Sequence, residues 1–384
     1  MKKIVAVAIA GTMSIAAFTG LTSNAYALQY DPAQRALEIV LDGSKIPFQD
    51  ARPIMDTNSR TLVPLRAVSE NLGAKVKWDG KRKKALIQKE NTRIEMKVND
   101  STAYINGEAI AFDSQMVMIG TNTFVPLRFV SEAFGTEVKF DKEAHYVYVK
   151  TPGVEKADVK LDEYGREIRT TNLPKNYKDY PYILKDIPNE MYEVPFYVET
   201  RSSGKPIKVS ELSKQPHINR RNVDAWKKKI EEYFGLVLNV DYSTIDYKWA
   251  KQVRKDVNML GSDDEMRTYV DWAKKNKIKV EGVLVAEPSI VYSDGDTYRM
   301  RVKYQFRITS FIEYKNLIYD MSFHLSKNDN GKLPTKYKKN MWYEGYADIA
   351  LSTNVGGSHY TPDLMVSANP SLFLDNAVVR EWKW

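Results

Sequence analysis

The chain of 384 residues contains no cysteine. Disulfides, thiolate metal sites and cysteine nucleophiles are therefore excluded, and stability has to come from packed cores. Histidine is nearly as scarce. His145, His217, His324 and His359 are the full set, and no two are close in sequence. A zinc hydrolase spacing such as His-Glu-x-x-His cannot be built from them. There is no Gly-x-x-x-x-Gly-Lys-Ser/Thr phosphate loop. The nearest approach to a Gly-x-Ser-x-Gly nucleophile turn, Gly356-Gly357-Ser358-His359-Tyr360, lacks its last glycine and reads as a polar loop. Beyond the N-terminal segment no apolar run approaches the ~18 residues that a membrane helix needs.

What remains is an ordinary globular composition, 43% hydrophobic and 28% charged, with length for two or three domains. Lys2-Lys3, the apolar stretch Ile4–Phe18 and Ala25-Tyr26-Ala27 form the charged, apolar and A-x-A regions of a signal peptide over residues 1–27. The expectation is a secreted or wall-associated protein with no transmembrane segment in its mature part. The formal charge is +8, spread thinly: residues 28–150 carry 18 basic and 16 acidic side chains. Nucleic-acid binders concentrate their charge on one face, so no nucleic-acid partner is expected.

The dominant pattern is an internal repeat. Thr61–Asp79, TLVPLRAVSENLGAKVKWD, recurs as Thr123–Asp141, TFVPLRFVSEAFGTEVKFD, at an offset of 62 residues. Each copy reads as strand, short helix, strand. Pro64 and Pro126 suit a helix start. Leu65, Val68 and Leu72, like Leu127, Val130 and Phe134, make one apolar helical stripe. Arg66 and Glu70, like Arg128 and Glu132, lie i, i+4 on the surface. Gly73 and Gly135 fall where a left-handed residue ends a helix. Every recurring residue thus has a structural job, and none is needed as a ligand anchor.

The duplicated VPLR-x-V-SE-x-x-G pattern, preceded by strands ending in Asp42-Gly43 and Asn106-Gly107, resembles the copper amine oxidase N-terminal-like (stalk) domain of secreted Gram-positive proteins. The resemblance covers about residues 36–150. It implies a small α+β module that carries neither copper nor a catalytic residue. An amine oxidase catalytic domain would need three histidines, two as His-x-His, and an Asn-Tyr-Asp/Glu tyrosine. Here Asn176-Tyr177 is followed by Lys178, and the histidines are scattered.

Downstream, residues 151–195 are rich in Tyr and Pro with little periodicity and read as a linker packing through its tyrosines. Residues 196–384 read as a second α+β domain, helices first and then an antiparallel sheet. Helices are expected over Asn222–Phe234 and Tyr247–Leu260, with a third capped by Ser262 and opened by Asp263, Asp264 and Glu265. Period-two strands follow over Lys279–Tyr292, with Pro288 as a bulge, and over Thr297–Ile308, Leu317–Leu325 and Met341–Leu351. Turns are expected at Asp294-Gly295 and Asn328–Gly331, the latter lacking EF-hand spacing. The fold class is α+β throughout. Nineteen of the 24 tyrosines lie beyond residue 150, mostly on apolar stripes, so core packing is their default role. The basic run Lys81–Lys84 reads as a solvated turn, with anionic wall polymer as the minor alternative.

No catalytic, cofactor-binding or metal residue is assigned, and no cofactor is expected. The leading expectation is a non-enzymatic surface protein, the stalk-like module positioning a C-terminal binding domain for cell-wall polymer or another surface protein. Two alternatives stay open: a hydrolase of wall sugar or peptide using C-terminal carboxylates, and a small-ligand binder on the concave sheet.

Overall fold

The computed structural model describes residues 34–48, 51–56, 59–112, 114–154, 159–196, 214–258, 262–293, 297–320, 336–352, 363–367, 370–373 and 377–382. The expected signal peptide, the turns at Asp294-Gly295 and Asn328–Gly331, and the Gly356–Tyr360 segment lie outside them.

The N-terminal module contains β1 (Glu38–Leu41), β2 (Ser44–Lys45), β3 (Ile54–Met55), β4 (Thr61–Pro64), α1 (Leu65–Asn71), β5 (Lys75–Asp79), β6 (Lys84–Lys89), β7 (Thr92–Lys97), β8 (Thr102–Ile105) and β9 (Glu108–Ala111). The second copy supplies β10 (Val117–Ile119), β11 (Asn122–Pro126), α2 (Leu127–Ala133), β12 (Glu137–Asp141) and β13 (Tyr146–Lys150). The two copies meet strand to strand. Val63 of β4 pairs with Val125 of β11, Leu62 with Pro126 and Pro64 with Phe124. Shifting any of these pairs by the repeat offset returns the same set, so a pseudo-twofold axis passes between Val63 and Val125. Leu65, Val68, Leu127 and Val130 are each at most 3% exposed in one shared core. At roughly 1.5–3 kcal/mol per fully buried large aliphatic side chain, this shared core is what makes the repeat a unit.

Pro64 and Pro126 stand one place earlier than the sequence suggested. Both are the extended residues that precede their helices, with ψ of 114° and 122°. They end β4 and β11, and each removes one of the N–H groups that a helix start leaves without an intrahelical partner. Gly73 and Gly135 follow the helices at φ of +82° and +72°, as expected. Asn106 and Gly107 both have positive φ, the requirement of the tight turn joining β8 to β9. Flanking sheets then differ. β5–β9 form an antiparallel meander, while in the second copy β13 is closed by the N-terminal strand β1 in parallel register.

The C-terminal part begins with α3 (Asn189–Glu193), α4 (Arg220–Val237), β14 (Val240–Asp241), α5 (Tyr247–Lys255), β15 (Val257–Asn258) and α6 (Asp264–Lys275). It continues with β16 (Lys279–Ser293), β17 (Tyr298–Ser310), β18 (Tyr343–Ser352), β19 (Met365–Ser367) and β20 (Val378–Glu381). A seven-stranded sheet runs β14-β16-β17-β18-β19-β15, with β20 also on β18. The stripe Tyr298, Met300, Val302, Tyr304, Phe306 and Ile308 is at most 2% exposed. It packs with Trp226, Phe234, Val253 and Tyr269 of the three helices.

Three expectations are corrected. The helix from Tyr247 stops at Lys255, because Val257 and Asn258 pair in parallel with Val366 and Ser367. A β-branched Val at a sheet edge wins over helix continuation. Ser262 is not the cap of α6: Asp263 holds that position, and its carboxylate takes Arg267 at 2.9 Å. Leu317–Asp320 is buried but irregular rather than strand. Two short strands, β19 and β20, follow in the tail.

The far face of β17 carries Arg299, Arg301, Lys303, Gln305 and Arg307. Arg299, Arg301 and Gln305 are at most 5% exposed: chain from the Tyr/Pro-rich stretch lies over Arg301, and Arg52 of the N-terminal module donates to Gln305 at 2.8 Å. Tyr180, Leu184, Met191 and Tyr192 form a cluster with Ile290 and Tyr346 of the sheet. Arg301 pairs with its cross-strand neighbour Asp348 through two 2.8 Å bonds. It also donates to the carbonyls of Met191 and Val194 at 2.9 and 2.8 Å. A buried guanidinium has five donors to satisfy, and the backbone of α3 takes those the carboxylate leaves.

Candidate functional site

Pro288 organises the most polar place in the molecule. It cannot donate a ladder hydrogen bond, and the β16–β17 register breaks around it. Ala286 pairs with Val302 and Val291 with Met300, so residues 287–290 oppose Arg301 alone. Within that bulge Glu287 meets Arg166 of the Tyr/Pro-rich stretch through bonds of 2.6 and 3.0 Å. The Arg166 side chain is fully buried and also contacts Asp162 at 3.2 Å and Asp186 at 3.8 Å.

The N-terminal module enters the same network. Lys45 of β2 reaches Glu287 and Glu38, each at 2.9 Å, and its backbone N–H donates to Asp186 at 3.0 Å. Lys227 of α4 is fully buried, pairs with Glu231 one helical turn on, and lies 3.5 Å from Glu38. Glu231 also accepts from Arg35 at 2.7 Å and from the Ala286 N–H at 3.1 Å. Between the two lysines sits Tyr146, with ammonium groups 5.6 and 5.4 Å from its ring centre. Four cations and five carboxylates thus join both modules and the stretch between them. A second clasp lies beside it: Arg220 pairs with Asp141 at 2.5 Å and covers the ring of Tyr164, whose hydroxyl donates to Asp224.

Electrostatics follow this geometry. Burial alone would raise the Glu287 carboxyl, but Arg166 and Lys45 hold it well below the usual range. Glu38 is lowered in the same way, with Lys45 and Lys227 overriding its burial. For Asp186 the balance reverses: burial pushes it up against the pull of Arg166 and Lys45. The Tyr146 hydroxyl has no hydrogen-bond partner among the described residues and is raised far up by burial, then by Glu38. Lys45, Arg169, Asp186 and Asn189 line an open cleft of about 500 Å³ beside the network.

The residues weighed from sequence do not assemble here. Arg66 is exposed, its nitrogen 4.0 Å from Glu70. His145 is buried against the Ala36 carbonyl at 2.7 Å, and His217 is half-buried elsewhere; His324 and His359 lie outside the described residues. Asp263, Asp264 and Glu265 open α6. Among the described residues no group of three or more His, Asp or Glu could hold a metal ion, and no helix is long and apolar enough to cross a membrane. Sequence reasoning missed Lys45, Arg166, Lys227 and Glu287. Faint signals existed: the i, i+4 pairs Asp162–Arg166 and Lys227–Glu231, and an acid placed just before the bulge proline.

Comparison with known proteins gives two findings. Residues 40–149 match the sequence model of the Copper amine oxidase N-terminal domain. That is the module of the pseudo-twofold repeat, and it is not the catalytic part of such an oxidase. The chain is also similar to a protein of Brevibacillus choshinensis named Protease inhibitor, at 30% identity over 135 residues. The similar region is 35% of this chain and 40% of that relative, so the chain spans well under two thirds of its length.

Proposed function

We propose that the chain is an exported, non-enzymatic interaction protein. In this reading a stalk-like module of residues 36–150 is held through the stretch 151–195 against a C-terminal domain of residues 196–384, which it positions for a partner. The observation that carries it is the junction itself. Its most deeply buried ions, Arg166, Lys227, Glu231 and Glu287, are spent on one another rather than turned to a ligand. Such a network fixes one relative placement of its parts, which is what a presenting scaffold requires.

The name of the Brevibacillus relative supplies the first partner to try. Purified protein titrated into a panel of secreted serine and metalloproteases should bind at least one of them in a defined ratio and slow its cleavage of a peptide substrate. Cell fractionation should recover the chain outside the membrane. If it stays in the cytoplasm and binds no protease of the panel, the reading fails.

A hydrolase remains the second reading, on one observation. Asp186 and Glu287 flank Arg166 with their carboxyls pushed in opposite directions, the arrangement an acid–base pair needs. Glu287, however, is 2% exposed and does not line the cleft. Release of sugar or peptide from cell-wall material that Asp186→Asn abolishes would reverse the ranking.

A further inference from the structure

The pseudo-twofold gives the N-terminal module two equivalent outward sheet faces, and only one is covered. In the second copy the outward side chains Tyr146 and Tyr148 lie under Tyr164 and the junction. Their partners at the repeat offset are Lys84 and Leu86, on the outward face of β5–β9. That face follows from the register. Lys77, Leu86, Glu95, Tyr104 and Ala109 form one cross-strand row, flanked by the rows of Asp79, Lys84 and Lys97 and of Lys75, Gln88 and Arg93. Alternate residues such as Ala85, Ile87, Ile94 and Met96 are buried on the opposite side.

An outward face of an antiparallel sheet is polar by default, with both signs mixed. This one is not mixed. Lys75, Lys77, Lys84, Arg93 and Lys97 stand on it, and the β5–β6 turn adds Lys81, Arg82 and Lys83. Against these eight cations are two carboxylates on the strands, Asp79 and Glu95, with Glu90 and Asp100 in two of the other turns, in a chain whose totals are 57 and 49. Glu95 is taken by Lys84 and Arg93, and Asp79 by Arg82. Lys75, Lys77 and Lys97 are exposed and make no ion pair among the described residues. In the same row stands Tyr104, 47% exposed, between Glu95 and Ala109.

We infer that this face binds a linear phosphodiester-linked polyol polymer of the cell envelope. The cations take successive phosphates, and Tyr104 offers a flat apolar platform to the carbon units between them. The choice of an envelope polymer rests on the reading that the chain is exported; the chemistry of the face does not.

The test uses the purified full-length chain and end-labelled poly(glycerol phosphate), followed by fluorescence anisotropy. Binding is expected at 50 mM salt, weakening at least tenfold by 200 mM as condensed counterions are released. The variant K75E/K77E/K97E should bind at least tenfold more weakly and with a shallower salt dependence. K81E/K83E, placed in the turn, gives an independent second loss. Tyr104→Ala should weaken the polyol polymer while leaving inorganic polyphosphate unchanged. As control, K248E/K251E changes the net charge by four on an exposed face of α5 and should alter affinity less than twofold. Equal losses in both sets of variants, or no binding at 50 mM salt, overturn the inference. So does a single-stranded oligonucleotide of matched charge that binds more tightly. Fractionation tests export separately, so a cytoplasmic protein that still binds the polymer would sink the exported reading and leave this face assigned to a phosphodiester chain.

Discussion

Replacing Arg166 by Met is the sharpest test of the junction. The side chain is fully buried and touches Glu287, Asp162 and Asp186. Met fills similar volume but leaves Glu287, 2% exposed, with Lys45 as its remaining cation. Breaking a buried pair from one side costs about 3–5 kcal/mol, far more than the pair is worth against an apolar replacement of both partners. Urea unfolding followed through tryptophan fluorescence, with Trp226 as a core reporter, should show that loss at pH 7. Glu287→Gln removes the charge from the other side, and the double variant should cost less than the two single losses added, by about 0.5–3 kcal/mol of coupling. The pH dependence carries a sign. Glu287 has a folded-state pKa below its unfolded value, so its contribution is fully present above the unfolded value of ~4.3 and is lost as pH falls through the folded one. The Met variant removes the cation that lowers it, so its deficit relative to wild type should shrink on acidification. A loss under about 1 kcal/mol, or a deficit that grows toward pH 3, would refute the reasoning.

Other outcomes follow from the same contacts. Arg301→Lys keeps the charge but cannot serve Asp348 and two α3 carbonyls together, and should cost about 2–4 kcal/mol in the same urea assay. Gly345→Ala would place a methyl 2.5 Å from the Tyr304 ring and 2.7 Å from the Val378 carbonyl, so an overpacking loss of about 1–3 kcal/mol is expected by calorimetry. Gly73→Ala meets open space but keeps a positive φ, and should cost about 1–2 kcal/mol, with Gly73→Asn milder. His145 is lowered by burial and then by Arg35. Its neutral form is therefore favoured by folding, which contributes stability above the unfolded value that is lost as pH falls below it. An NMR titration of His145 should move upward in Arg35→Gln.

The N-terminal module was largely legible because its signals are local and given twice: apolar spacing, a terminal glycine, a tight Asn-Gly turn. The dyad pairing of Val63 with Val125 was not, since a repeat fixes each copy but not how copies meet. Errors in the C-terminal part came where a distant strand competed with a local tendency, as Val257 did in ending α5. The junction was least legible of all. Arg166 and Glu287 stand 121 residues apart, and Lys45 and Glu287 stand 242 apart. Each reads singly as a solvated surface charge. Likewise the alternation of β17 predicted two faces, but only the chain lying over it explains why Arg301 is buried.

The two outward faces show how duplication allows division of labour. Copies related by a pseudo-twofold begin with equivalent surfaces, so whatever distinguishes them lies in the residues that differ at matched positions. On one face those residues are Tyr146 and Tyr148, which bring large ring area to the junction, the Tyr146 ring lying beside both Lys45 and Lys227. On the other they are Lys84 and Leu86. The lysine there could not be buried without a partner, and Glu95 keeps it at the surface, with a side chain 38% exposed. Exchanging the matched pair, Lys84→Tyr with Tyr146→Lys, should therefore fail unequally. The first change lands on an open surface and should cost within ~0.5 kcal/mol. The second puts a third ammonium between Lys45 and Lys227 and should unseat the C-terminal sheet, seen as accelerated proteolysis of residues 151–195. If both single variants melted alike, the two faces would be equivalent after all, and neither the junction nor the basic surface would have the distinct role assigned to it.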